Sequence, residues 1–349
     1  MAPGWPFPKL HRVIRIEIDE PTLARTRIAI SPLAEVVCSL LLLQRNPDGA
    51  PWPYDGWAVR AREILRTDPA TAPARAHLEF PARSPDFLCP VPLTATPTIE
   101  EQLDQLRATP AELIEEQFAK YYPDGELPSF YRPYRDDRER ALDRLAGGLA
   151  AYWDAAIAPH WPAMRAALDE EVLLRARALA ADGPDALLSQ LHERIRWERP
   201  VLTLVKPIDQ SFVAVNQRLL LVPLIFSRGA LMCSSDHPDI QLVTYQARGA
   251  AVLASTAAPV VADDRLAILV GRGRATVLRA LTVPATTTGL ASALGLAPST
   301  ISEHLAGLQA AGVVHRRRAG RRVLYGLEPA GIALVNLLRD DSGRTEFVS

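Results

Sequence analysis

The chain has 349 residues, enough for two or three domains, and its 48% apolar and 23% charged residues are those of a folded rather than a disordered protein. A formal net charge of −1 excludes a uniformly basic or acidic molecule, so a polyanion site would have to come from a local accumulation of charge. Three scattered cysteines argue against a disulfide frame and suit a reducing compartment, and no apolar run approaches the ~20 residues that span a bilayer. Met1–Lys9 lacks a charged n-region and an apolar h-region, so no signal peptide is expected and the expected location is the cytoplasm, without membrane contact.

In chain order, Arg12 to Ile18 alternates Arg15 and Glu17 with Ile14, Ile16 and Ile18, which predicts a half-buried strand. Ser31-Pro32 caps a helix over Leu33 to Arg45. Residues 46–57 read as a loop rich in Pro, Gly and Trp, and residues 68–98 as proline-dense and irregular. Helices are expected over Glu101–Leu106, Pro110–Tyr121, Asp136–Ile157 and Trp161–Leu179, with Leu142, Leu145, Leu149 and Trp153 spaced for a packed layer. From Val201 the period shortens. Val201–Val205, Phe212–Val215, Leu219–Phe226, Ala230–Cys233 and Gln241–Tyr245 read as short antiparallel strands. An α+β domain is therefore expected over residues 10–258.

Chemistry is sparse in this region. Cys233, Asp236, His237 and Asp239 mix soft and hard ligands, but at this spacing they read as a turn between two strands, and no metal is expected. No nucleophile elbow or Walker lysine is present, so neither catalysis nor a cofactor is expected. Trp52, Tyr54, Trp57, Tyr121, Tyr122, Phe130, Tyr131 and Tyr134 gather in proline-rich loops. They fit ordinary packing better than an effector pocket.

The next stretch differs in charge. Arg265 to Tyr325 holds nine arginines against one acid, Glu303, a net +8 with histidine neutral, so the remainder carries −9. Helix is expected over Arg272–Thr282, stopped by Pro284. Gly271-Arg272-Gly273-Arg274 reads as a linker feeding that helix, with Arg272 and Arg274 near a DNA backbone. Thr286-Thr287-Thr288 offers caps for a second helix through Leu294, closed by Gly295. Pro298 opens a third helix to about Ala311, with Ile301, Leu305 and Leu308 inward and Ala297 a poor cap. That leaves Ser299, Thr300, Ser302, Glu303 and His304 at its front as groove-facing candidates. Val313–Arg317 and Arg322–Leu327 form a hairpin whose tip gathers Arg316, Arg317, Arg318, Arg321 and Arg322 for phosphates or a narrow minor groove.

At Gly289–Leu305, followed by Leu308, Ala311-Gly312-Val313-Val314 and the wing ending Val323-Leu324-Tyr325, the chain resembles ArsR-type winged-helix transcription regulators. The resemblance covers about 65 residues and implies a winged helix of three helices and a β-hairpin over 259–340, double-stranded DNA as partner and transcription regulation as function. Metal sensors of that family use paired cysteines in this domain; residues 259–349 contain none, and Glu303 stands where a basic or amide residue is common. Ala29–Glu35, Leu221-Val222-Pro223 and Tyr245–Gly249 are similar to the long amino-terminal domain of unknown function fused to some such regulators. The expectation is a sequence-specific homodimer, regulated by a small organic effector, a protein or nothing at all. Two other readings fit the residues: a protein-interaction module built on the winged helix, and an enzyme with a DNA-targeting tail.

Overall fold

The structure, a computed structural model, describes residues 13–79, 84–192, 194–206, 209–227, 233–256, 265–319 and 322–338. The chain divides into two compact units. Among the described residues, the larger takes those of 13–50 and 57–247; the smaller takes those of 248–338 together with the short inserted stretch Pro51–Gly56.

The larger unit is α+β, as expected. Val13–Ile18 is an inner strand of a four-stranded sheet, antiparallel to Val201–Val205 and parallel to Gln210–Ala214, with Ile195–Glu198 on the far edge of Val201–Val205. Ile14, Ile16 and Ile18 point into the core while Arg15 and Glu17 are exposed, because successive side chains of a strand face opposite sides. A second sheet has the order Arg27–Ile28, Arg218–Leu224, Ile240–Gln246, Cys233–His237. Its first three strands run parallel, which corrects the expectation of antiparallel pairing throughout. Arg218–Leu224 and Ile240–Gln246 are buried along almost their whole length, the continuous apolar run that strands covered on both faces require.

Two further expectations are corrected. Cys233–His237 is itself the edge strand, antiparallel to Ile240–Gln246 with an irregularity between Ser234 and His237, so only Pro238-Asp239 forms the turn. The expected strand position Ala230–Met232 lies outside the described residues. Residues 46–57 are not all loop, since Asp55–Thr67 is a helix. The proline-dense stretch contains short helical turns at Pro69–Thr71, Ala72–Arg75, Ala76–Glu79 and Asp86–Leu88, the first two with proline in their opening turn, where its missing N–H costs nothing.

The helical layer consists of Ile99–Arg107, Ala111–Tyr121, Arg138–Tyr152 and Trp161–Ser189, the last broken into two helices at Gly183, whose φ is 77°. Leu142, Leu145 and Leu149 are buried, and a π-helical turn at Trp153–Ile157 follows. The aromatic residues are used for packing. Trp57 donates its indole N–H to the Ala156 carbonyl at 2.8 Å and lies 4.4 Å from the Phe226 ring. Phe87, Phe118, Tyr131 and Tyr134 meet ring to ring.

The strings Ala29–Glu35 and Leu221–Pro223 converge. Ser31 caps the helix Pro32–Arg45 by accepting the Ala34 amide at 3.1 Å, and Gln102 accepts the Leu33 amide at 3.0 Å. One turn on, the buried Glu35 carboxyl accepts the amides of Ile225 at 2.6 Å and Phe226 at 3.0 Å, just beyond the strand that carries Leu221–Pro223. Burial pushes this carboxyl up to about 8, outweighing the two amide bonds that favour its charged form.

Candidate nucleic-acid interface

The smaller unit is built on helices Arg265–Val270, Arg272–Ala280, Thr287–Leu294, Pro298–Ala310 and Pro329–Leu337, with a hairpin of Val314–Ala319 and Arg322–Leu327. Val277, Leu278, Leu281, Leu290, Ile301, Leu305 and Leu308 form its core, and Trp52, from the inserted stretch, packs against them. Gly271-Arg272 is a break between two helices, not a linker: Gly271 at φ 82° ends one and precedes the next.

Two helices form the helix-turn-helix. Thr286 caps the first, accepting the Gly289 amide at 3.0 Å. Gly295 ends it at φ 65°, a left-handed conformation that costs glycine little, and the chain turns at once into Pro298. Ala297 precedes the second helix with no side-chain cap, as its sequence foretold. Ile301, Leu305 and Leu308 lock the second helix to the core, and this fixes which residues face away. Ser299, Ser302 and Glu303 are exposed together with Ala306, one turn beyond Ser302, which sequence reasoning passed over because alanine carries no polar group. Thr300 and His304 are half-buried on the flank of that face.

The hairpin follows. Its register pairs Arg316 with Tyr325, Arg317 with Leu324 and Arg318 with Val323. Ala285 extends it by a third short pairing, exchanging both amide bonds with Tyr325 at 3.0 and 2.8 Å. That bridge ties the wing to the chain entering the helix-turn-helix. Arg316, Arg317 and Arg318 are exposed, and Arg316 and Arg317 have no carboxylate partner among the described residues. At the base of the wing His315 stands 3.5 Å from Glu328. Arg322 opens the second strand, and Arg321 lies outside the described residues. Arg274 is exposed near the start of its helix; Arg272 opens that helix, its side chain outside the description.

Cys233, Asp236 and His237 gather no ligand set. Asp236 is paired with Lys120, and among the described residues no group of three or more His, Cys, Asp or Glu could hold a metal. Burial, reinforced by the nearby Asp236 charge, pushes the Asp86 carboxyl up to about 6, while Tyr121 donates to it at 3.1 Å. No helix among the described residues is long and apolar enough to cross a membrane.

No curated protein and no solved structure matches the chain. A family model does: residues 274–316 match the one described as bacterial regulatory protein, arsR family. The matched span runs from Arg274 through both helices of the helix-turn-helix into the first wing strand. The chain thus carries the helix-turn-helix domain of ArsR-type DNA-binding regulators behind a long amino-terminal region.

Proposed function

We propose that the chain is a sequence-specific transcription regulator that works by binding double-stranded DNA and not by catalysis. The observation that carries this reading is the pairing of an exposed polar helix front, Ser299, Ser302 and Glu303, with an arginine-bearing wing in one small unit. The helix Pro298–Ala310 enters the major groove, where short polar groups reach base edges. The wing lays Arg316, Arg317 and Arg318 on backbone or minor groove. Guanidinium groups suit phosphate because their planar fork donates two parallel hydrogen bonds.

A homodimer is the proposed working form. Ile268 and Leu269 are 70% and 63% exposed on Arg265–Val270, and Leu337 is 74% exposed on Pro329–Leu337. Apolar side chains of that size on these two helices support burial against a second copy. The larger unit would bias the DNA-competent state in response to an organic effector, in the cytoplasm.

Salt dependence tests the wing. Log affinity should fall with log salt by about 0.9 for each phosphate engaged. Arg317→Ala should weaken all duplexes alike and flatten that slope by close to one phosphate. An unchanged slope would remove the wing from the interface.

A further inference from the structure

Two helices of the smaller unit meet through a reciprocal contact at two glycines. A Cβ on Gly273 would stand 2.5 Å from His304 Nε2 and 3.0 Å from its Cε1, so the imidazole fills the space that any side chain at 273 would need. In return, Arg274 crosses Gly307, where a Cβ would lie 3.5 Å from the guanidinium Nε and 3.7 Å from Nη2. Gly273 and Arg274 are neighbours in the first turn of Arg272–Ala280. His304 and Gly307 are one turn apart on Pro298–Ala310. The His304 ring thus closes the Gly273 position, whereas Arg274 rests on Gly307 at van der Waals distance, close enough to be pushed away by a side chain longer than a methyl.

The two side chains end in different places. His304 is half-buried, folded onto a neighbouring backbone, whereas Ser299, Ser302 and Glu303 stand exposed on the same helix. Arg274 is exposed with its guanidinium against the helix that carries them. A missing Cβ lets helices approach closely, and whatever fills the space fixes how they cross. A guanidinium resting on a helix has also lost part of its freedom before any phosphate arrives, which lowers the entropy lost on binding.

We infer that His304 is a positioning residue, and that the seats at Gly273 and Gly307 set the pose of the recognition helix and hold Arg274 as a clamp for the phosphate flanking the major groove. This rests on the DNA-binding function proposed above. It assigns His304 to the support of the reading helix and leaves base contacts to Ser299, Ser302 and Glu303. It also gives functional roles to two glycines with no chemistry of their own.

Two double-mutant cycles in the full chain test it, with thermal unfolding to verify that each variant folds. The probes are the duplex enriched by the wild-type chain and an unrelated duplex of equal length. Gly273→Ala and His304→Ala should each weaken both duplexes by the same factor, about tenfold, one step of ~1.4 kcal/mol. The double variant should be no weaker than either single one, because alanine at 273 harms only by displacing the ring. Losses that add, or a His304→Ala variant that selects a different base at one position, would overturn the positioning role. In the second cycle Arg274→Ala and Gly307→Leu should each flatten the salt slope by about 0.9, and together by no more. An unchanged slope in Arg274→Ala overturns the clamp. Failure of the wild-type chain to bind any duplex overturns the DNA-binding function and this inference with it. Failure of the inference alone appears only in the variants.

Discussion

Glu35 is a buried acid whose raised pKa predicts a pH-dependent stability for the larger unit. It has no cationic partner among the described residues, only two backbone amides, and it titrates in the fold near 8 against an ordinary 4.5. A carboxyl group whose folded pKa is raised binds more protons folded than unfolded, so stability falls as pH rises from about 4.5 through about 8 and then levels. Asp86, pushed up to about 6, adds to the lower part of the same fall. Equilibrium unfolding from pH 5 to 9 should show this decline. Glu35→Gln should be less stable at pH 5 by about 1–3 kcal/mol, since a carboxamide has one acceptor oxygen for two amides. The variant's decline between pH 6 and 8 should nearly vanish. A wild-type profile that is flat or rises over that window would mean that Glu35 stays charged in the fold.

At the scale of elements, caps and turn residues decide the helix-turn-helix. Thr286→Ala removes the acceptor of the Gly289 amide and should cost about 1 kcal/mol. Ala297→Ser supplies a cap that the second helix lacks and should stabilise the unit by roughly 0.5–1 kcal/mol. Both changes are measured by denaturant unfolding, and an Ala297→Ser variant that is less stable would show that this helix end is satisfied in another way. These elements were legible in sequence because their signals are local: a threonine before an apolar period, Gly295 at a helix end, Pro298 at a helix start. The expected helix 272–282 ends at Ala280, and the wing's first strand runs Val314–Ala319 instead of 313–317. The sheets were much less legible. Val13–Ile18 pairs with partners nearly two hundred residues away, one antiparallel and one parallel, and no local period encodes that choice. Cys233–His237 looked like a turn because Asp, His and Pro are turn formers, yet edge pairing to Ile240–Gln246 and the Lys120 pair on Asp236 hold it extended. Within the interface the polar front and the wing could be named from periodicity. The contacts of His304 with Gly273 and of Arg274 with Gly307 could not, since they arise only once two helices cross.

The whole molecule is discontinuous in sequence. Pro51–Gly56 belongs to the same compact unit as the helix-turn-helix, and Trp52 packs against that unit's core. Trp52→Ala should loosen the smaller unit by about 1–3 kcal/mol, the transfer free energy of a partly buried aromatic. Faster amide exchange in Arg272–Ala280 and Thr287–Leu294, with unchanged exchange in the sheets of the larger unit, is the expected signature. Equal loss in both units would mean that the two unfold as one. Charge is concentrated more narrowly than either unit: Arg265–Tyr325 carries +8, and the −9 elsewhere includes acids of the smaller unit itself, so the basic stretch is where a polyanion is expected to bind. The most direct measurement is selection of bound sequences from random duplex DNA by the full chain, repeated at two salt concentrations. Enrichment of a near-palindromic motif, with half-sites about 10 base pairs apart or a multiple of that and a steep fall in affinity with salt, is the expected result. Recovery of no enriched sequence at low salt, where phosphate contacts are strongest, would contradict sequence-specific DNA binding by this chain.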